Sequence, residues 1–263
     1  MKKATILVYV SSASSIPLRE GGINDAGVFL GELTEPLAPL LKSGHHFAFA
    51  SPDGKAPVID KNSYKLLYWG LSKKKLRQAI AIYHKLNDLG MKNPHKIDDL
   101  LKDERGLDEY NALFIPGGHA PMTDIVYKNW LEGEELNENT GKLLLHFHES
   151  NKPTALICHA PAALTCATDT NGGWIYKGYR MTCVSQMSEF ITEDMPFMKV
   201  MHGHLLKYPT TLLKNKGARL KQVQIPMIPV IVEDRELLTG QDPYSAKKFG
   251  VRFKAKLEKY LSL

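Results

Sequence analysis

The sequence predicts a single α/β domain over residues 1–263, built on a doubly wound, mostly parallel sheet with helices on both faces. Three observations predict it. Apolar runs of strand length begin at Ala4, His46, Asn111 and Thr154. An amphipathic stretch of helical length joins the first two, and strand–helix–strand at this spacing opens a doubly wound sheet. The last two runs end abruptly, at Gly117-Gly118 and at Cys158, in tight turns of the kind found at a sheet's carboxyl edge.

Ala4–Val10 is continuously apolar, as a strand buried on both faces must be. Ser11–Asn24, rich in Ser and Gly, is a loop at that strand's carboxyl end, where α/β proteins place their sites. Asp25 is positioned to cap a helix from Ala26 to about Lys42, with Val28, Phe29, Leu33, Leu37, Leu40 and Leu41 as its apolar residues. Gly44 ends it, and His46–Ala50 is the next strand. Inside the helix, Glu32 lies between Leu30 and Leu33. Gly31 beside it costs about 1 kcal/mol of helix propensity, and Pro36 disfavours helix in the preceding turn. A helix distorted around an acid makes Glu32 a candidate site residue; the alternative is a solvent-facing glutamate.

Residues 55–107 break the α/β rhythm. They carry Tyr64, Tyr68 and Trp69, a basic helical stretch at 72–89 and a short helix at 97–101, and read as a helical cap inserted over the carboxyl edge. Asn111–Ala120 returns to strand and turns at Pro116-Gly117-Gly118, where paired glycines allow φ > 0 and bring backbone N–H groups to a ligand. Residues 134–150 form a helix leading into the Thr154–Ile157 strand.

That strand stops at Cys158-His159, and a small-residue segment of helical character follows at once. Such a corner holds a side chain at the carboxyl edge and points the next helix's N–H groups at it. The thiol is therefore expected to have a lowered pKa, the helix N-terminus favouring thiolate. The alternative is a buried, inert cysteine. Downstream, Asn171–Gly173 is a turn and Arg180–Val184 a short strand. Residues 190–222 show no clear period, with helices placed near Glu193 and over 210–216. Val230–Thr239 is a hairpin turning at Glu233–Arg235, and Gly240–Pro243 caps a final helix over 244–261.

The net charge of +6 is modest, and the Lys73-Lys74-Lys75 cluster has no interleaved aromatics, which argues against nucleic acid. No apolar run approaches the ~20 residues of a membrane span. Lys2-Lys3 before Ala4–Val10 imitates a signal peptide, but the run is too short and is read as a strand. Three cysteines, Cys158, Cys166 and Cys183, make neither a disulfide framework nor a metal spacing, which points to a reducing cytosol. His146 and His148 would face different sides of a helix, and His202 and His204 lie in a loop with no nearby carboxylate of clear spacing. No metal is expected.

Residues 112–121, 157–163 and 238–246, with the Gly27-Val28-Phe29…Glu32…Pro36 pattern, resemble the ThiJ/PfpI superfamily, and within it the chaperone and glutathione-independent glyoxalase III branch. The resemblance implies a flavodoxin-like sheet with a nucleophile-elbow cysteine. It implies Cys158 as nucleophile, His159 beside it, Glu32 as the acid next to the thiol, and Glu189 orienting His159. The Gly117-Gly118-His119 loop would line the site, with the N–H groups of Gly118 and His159 stabilising an oxyanion. Ala120 and Ala160 stand where the family pattern has glycine, each adding a methyl near the pocket mouth. The implied activity is a lyase-type conversion of methylglyoxal or a related 2-oxoaldehyde to a 2-hydroxy acid, with no cofactor, in a cytoplasmic homodimer. Alternatives are a holdase chaperone acting on unfolded clients, a deglycase, and a PfpI-like cysteine peptidase. A class I glutamine amidotransferase fits poorly, because no glutamate stands two residues after His204, the last histidine.

Overall fold

The computed structural model describes residues 2–103, 106–196, 199–225 and 227–262. β1 (Thr5–Tyr9) is followed by a hairpin of β2 (Ser15–Pro17) and β3 (Ile23–Asp25), then by α1 (Leu30–Lys42) and β4 (His46–Ser51). α2 (Lys73–Leu86), β5 (His95–Lys96) and α3 (Ile97–Lys102) precede β6 (Ala112–Ile115). α4 (Pro121–Asp124) and α5 (Glu138–Glu149) lead to β7 (Thr154–Ile157). Then come β8 (Arg180–Met181), α6 (Gln186–Glu193), α7 (Pro209–Lys216) and β9 (Arg219–Leu220). β10 (Ile231–Asp234), β11 (Leu237–Gly240) and α8 (Ala246–Leu261) close the chain.

The main sheet runs β10-β11-β7-β6-β1-β4-β5, and only the β10–β11 pair is antiparallel. This is the doubly wound, mostly parallel, flavodoxin-like sheet that the apolar runs predict. Alternation along β1 sends Ile6 and Val8 to one face and Leu7 and Tyr9 to the other, and all four are fully buried. On the first face α1 and α8 pack together. Phe249 and Phe253, one helical turn apart, set their rings 6.1 and 5.9 Å from Phe114 of β6. On the second face α5 contributes Leu143, Leu144 and Phe147.

Several local expectations need correction. Asp25 caps no helix: it lies in β3, and α1 starts at Leu30 with no side-chain cap. Backbone pairing wins over capping here. Val28 donates to Val58 (2.8 Å) and accepts from Asp60 (3.0 Å), while Phe29 donates to Gly117 (3.0 Å), holding the segment extended. The C-terminal end of α1 is as expected, at Lys42, with Pro36 and also Pro39 inside the helix. The Ser11–Asn24 loop contains β2 and most of β3, turning at Gly21 and Gly22, both with positive φ. The Arg180–Val184 strand shortens to β8, paired with β9 in a separate small sheet. The last hairpin turns two residues later than expected, at Arg235-Glu236, with Glu233 and Asp234 still in β10.

Within the 55–107 segment, residues 104 and 105 lie outside the described residues. Its two helices form, α2 starting after Ser72, whose side chain accepts from the Lys75 N–H. Its His95-Lys96 joins the main sheet beside Ala50-Ser51, and α2 packs with Trp69 against the flank of α1.

Candidate active site

The site forms where β6 and β7 end and α1 begins. Cys158 follows β7 directly with φ of 63°, a left-handed conformation that a side chain other than glycine's rarely adopts. Such backbone strain is of order 1–3 kcal/mol and persists only where neighbours hold it. Here Cys158 N–H donates to Gly240 (2.9 Å) and its carbonyl accepts from Val184 (2.9 Å). The segment after the corner is a 3₁₀ helix, Ala160–Cys166, in place of an α-helix.

Glu32, in the first turn of α1, has no exposed surface, and its carboxyl faces the Cys158 sulfur and the Gly118 amide without a hydrogen bond of ordinary geometry. Gly117 lies where these groups converge. A Cβ there would fall 2.5 Å from Oε2 of Glu32, 2.5 Å from the Ile157 carbonyl oxygen and 2.7 Å from Cβ of Cys158. Gly118 has φ of 105° and packs against the Gly27 carbonyl, so neither position admits a side chain. The paired glycines therefore serve close approach as well as turning.

The Cys158 Sγ lies 3.2 Å from His159 Nδ1. On the far side of that ring, Oε1 of Glu189, from α6, comes within 3.0 Å of Nε2, again without in-line hydrogen-bond geometry. His119 packs its ring 4.3 Å from that of His159. Cys158, His159, Glu32, Glu189, Gly117, Gly118 and His119 are thus gathered at one place.

The electrostatics differ from the lowered thiol pKa expected. Burial, reinforced by the negative charge of Glu32, pushes the Cys158 thiol well above its ordinary range. A 3₁₀ segment does not offset that desolvation. Burial also raises the Glu32 carboxyl, and it raises Glu189 to about 7. The two imidazoles move oppositely: burial lowers His159 to about 3, and burial with the neighbouring His159 lowers His119 to about 4. The resting site therefore holds neutral rings and a protonated thiol, and a thiolate forms only by handing its proton to a neighbour.

A pocket of about 90 Å³ opens over Cys158. Its wall is mainly apolar and aromatic, with Phe29, Tyr68, Val184, Ile191 and Tyr244 prominent, and Asp60 and Asp242 as further acids. These residues went unrecognised in the sequence. Asp242 and Tyr244 fall within the 238–246 motif and could have been found from it; Tyr68 and Asp60 reach the pocket from the 55–107 segment, and no local pattern marks them. Ala120 and Ala160 are completely buried in the core beneath, not at the mouth, so their methyls do not line the pocket. The other histidines meet carboxylates that no sequence spacing marks. His204 has carboxylates on both sides, Glu20 at 2.6 Å and Asp194 at 3.1 Å, and His148 meets Glu236 at 2.7 Å. Among the described residues, no helix is long and apolar enough to cross a membrane.

"Protein/nucleic acid deglycase HchA" of Staphylococcus aureus (strain MSSA476) is 28% identical over 251 residues, covering 94% of this chain and 78% of that protein. The structure of a glyoxalase III from Candida albicans superposes with a TM-score of 0.68 at 20% identity, covering 96% of this chain and 97% of that one. The Rapid Encystment Protein of 24 kDa from Francisella tularensis gives a TM-score of 0.74 at 23% identity, over 97% and 99% of the two chains. At such identities these structures share the fold. The family model described as "ThiJ/PfpI family-like" matches residues 23–260, a span holding every candidate site residue, and the chain belongs to that family.

Proposed function

We propose that the chain is a glutathione-independent glyoxalase, converting methylglyoxal or a similarly small 2-oxoaldehyde to a 2-hydroxy acid on Cys158. The observation that carries this reading is the pairing of a buried carboxyl, Glu32, with a buried thiol, Cys158, across the side-chain-free Gly117. A desolvated carboxyl, held by burial well above its ordinary range, suits repeated proton transfer.

The sulfur attacks the aldehyde carbon as ionised Glu32 takes the thiol proton, and that proton then passes to the aldehyde oxygen, giving a hemithioacetal. The N–H groups of Gly118 and His159 stabilise the transient oxyanion. Glu32, ionised again, removes the hydrogen on the sulfur-bearing carbon. In the resulting enediolate the hydroxyl proton of the sulfur-bearing carbon moves to the neighbouring oxygen, and Glu32 returns its proton to the neighbouring carbon, leaving a thioester. Water hydrolyses the thioester, releasing the 2-hydroxy acid and restoring the thiol. Methylglyoxal plus water gives lactate, with no net oxidation. Glu189 restrains the His159 ring so that Nδ1 stays beside the sulfur. The small apolar pocket suits a three-carbon aldehyde better than a polypeptide segment, which weighs against a peptidase.

Lactate formation from methylglyoxal, measured without glutathione on wild type and Cys158→Ala, tests the reading. Undiminished conversion by Cys158→Ala would remove it. The HchA likeness favours one second reading, release of aldehyde adducts from amines on the same thiol. It predicts recovery of glycated amines faster than free aldehyde is consumed.

A further inference from the structure

We propose that His119, His159 and Glu189 form a binding site for a transition-metal dication such as Zn²⁺, whose occupation arrests the chemistry of Cys158. The arrest rests on the glyoxalase reading; the binding does not.

Three separate elements supply these residues: the turn after β6, the corner after β7 and helix α6. Their ligand atoms lie within 4.8 Å of one another, and all three side chains are buried. Nε2 of His119, Nε2 of His159 and both carboxylate oxygens of Glu189 have no hydrogen-bonding partner. Four convergent, desolvated polar atoms left in this state are costly, because each has lost its water without gaining a partner. A cation accepting their lone pairs satisfies several of them at once.

The donor set selects the ion. Two imidazoles and one carboxylate, with the pocket on the open side, form the three-ligand arrangement of open zinc sites. Nitrogen-rich donors disfavour Mg²⁺ and Ca²⁺, which prefer oxygen. Bonds of about 2.1 Å in a tetrahedron put ligand atoms about 3.4 Å apart. His159 and Glu189, at 3.0 Å, are already near that spacing, so the closing movement falls to His119. No other group of three among the described residues has converging donors. His204, although flanked by Glu20 and Asp194, points a different ring nitrogen at each and cannot bring both to one ion. An ion held by His159 would fix the ring whose Nδ1 stands 3.2 Å from the Cys158 sulfur, ending its part in proton exchange.

The test is titration of EDTA-stripped protein with zinc sulfate against a chromophoric chelator. Wild type should bind one ion per chain, with His119→Ala and Glu189→Gln weakened more than about tenfold, since even residues that only support a ligand cost that much. Cys158→Ser and His204→Ala should bind like wild type. Absence of binding, retention in both ligand variants, or loss in Cys158→Ser would each overturn the site. Should a ligand variant fail to fold, X-ray absorption at the zinc edge of the wild type decides: a nitrogen and oxygen shell with two imidazoles supports the site, and a sulfur scatterer defeats it. Zinc should also suppress lactate formation, reversibly with EDTA. Binding without suppression would overturn the arrest, and a chain that binds zinc but makes no lactate would sink the glyoxalase reading alone.

Discussion

Gly117 separates Glu32 from Cys158 by no more than a backbone: a single added methyl would reach to 2.5 Å from the Glu32 carboxylate oxygen. The other atoms it would meet are the Ile157 carbonyl at 2.5 Å and Cβ of Cys158 at 2.7 Å. Neither can give way without moving the strand end. Gly117→Ala should therefore part Glu32 from the thiol. The expected outcome is a loss of kcat/KM for methylglyoxal of about two orders of magnitude, since misplacement near 1 Å costs that much. Overpacking should also destabilise the fold by about 1–3 kcal/mol. A steady-state assay beside a urea titration checks both, and normal activity in this variant would contradict the pairing.

The thiol should be a poor nucleophile at neutral pH toward a general alkylating agent. Burial and the Glu32 charge both hold its pKa up. Glu32→Gln removes the charge and leaves the burial, so the sign is fixed: the thiol pKa falls, though not to its ordinary value. Iodoacetamide labelling of Cys158, read by mass spectrometry, should shift to lower pH in this variant. Turnover of methylglyoxal should nonetheless drop by about two to four orders of magnitude, the usual worth of a positioned proton carrier. A more reactive thiol in a slower enzyme is an opposition that a merely structural glutamate would not produce.

A half-buried carboxylate just beyond the carboxyl end of β1 gives a stability prediction. Asp124 accepts from Ser11 Oγ (2.5 Å), Ser12 N (2.9 Å), Ser12 Oγ (3.1 Å) and Ala13 N (3.0 Å), pinning the loop after the strand. Burial nonetheless raises its pKa to about 6, outweighing those bonds. The folded pKa lies above the unfolded value of 3.8, so the folded state binds more protons between the two. This contribution is full below pH 3.8 and is lost as pH rises through 6. From the shift, the loss is at most about 3 kcal/mol. Asparagine can still accept the three bonds to Oδ2 and can donate to Ser11 Oγ. Asp124→Asn should therefore melt several degrees higher than wild type at pH 8 and at nearly the same temperature at pH 4. Equal differences at the two pH values would contradict the assignment.

The sequence was most legible where the signal is local. Apolar runs marked β1, β4, β6 and β7, and the Cys158 corner stood out because a strand, a reactive residue and small residues follow one another directly. Legibility failed where distant backbone decides. Asp25 has the chemistry of a helix cap, but Val58, Asp60 and Gly117 hold residues 28 and 29 extended, so α1 begins later. The thiol pKa was misjudged for a related reason: the corner is visible in sequence, whereas the depth of burial that overrides it is not. Glu189 was reachable only through family resemblance. Its approach to His159 depends on α6, and the convergence of both with His119 joins segments far apart in the chain.

Helix α1 carries Glu32 to the thiol, and what fixes α1 lies on the opposite side of that helix's length. At Gly250, α8 crosses α1 so closely that a Cβ would fall 2.7 Å from Cα of Pro36 and 2.8 Å from the carbonyl oxygens of Glu35 and Pro36. All three atoms are backbone, so no side chain can rotate away. The two prolines in α1 leave i−4 carbonyls without helical donors, which weakens its own ladder and makes the contact with α8 more important. Gly250→Ala gains about 1 kcal/mol of helix propensity in α8, yet the forced separation should cost about 1–3 kcal/mol. The expected net result is destabilisation, opposite to propensity alone, together with a lower kcat as Glu32 withdraws from Cys158. Chemical denaturation and a methylglyoxal assay on Gly250→Ala measure the two. A variant that is more stable and fully active would mean that the α1–α8 crossing does not position the acid.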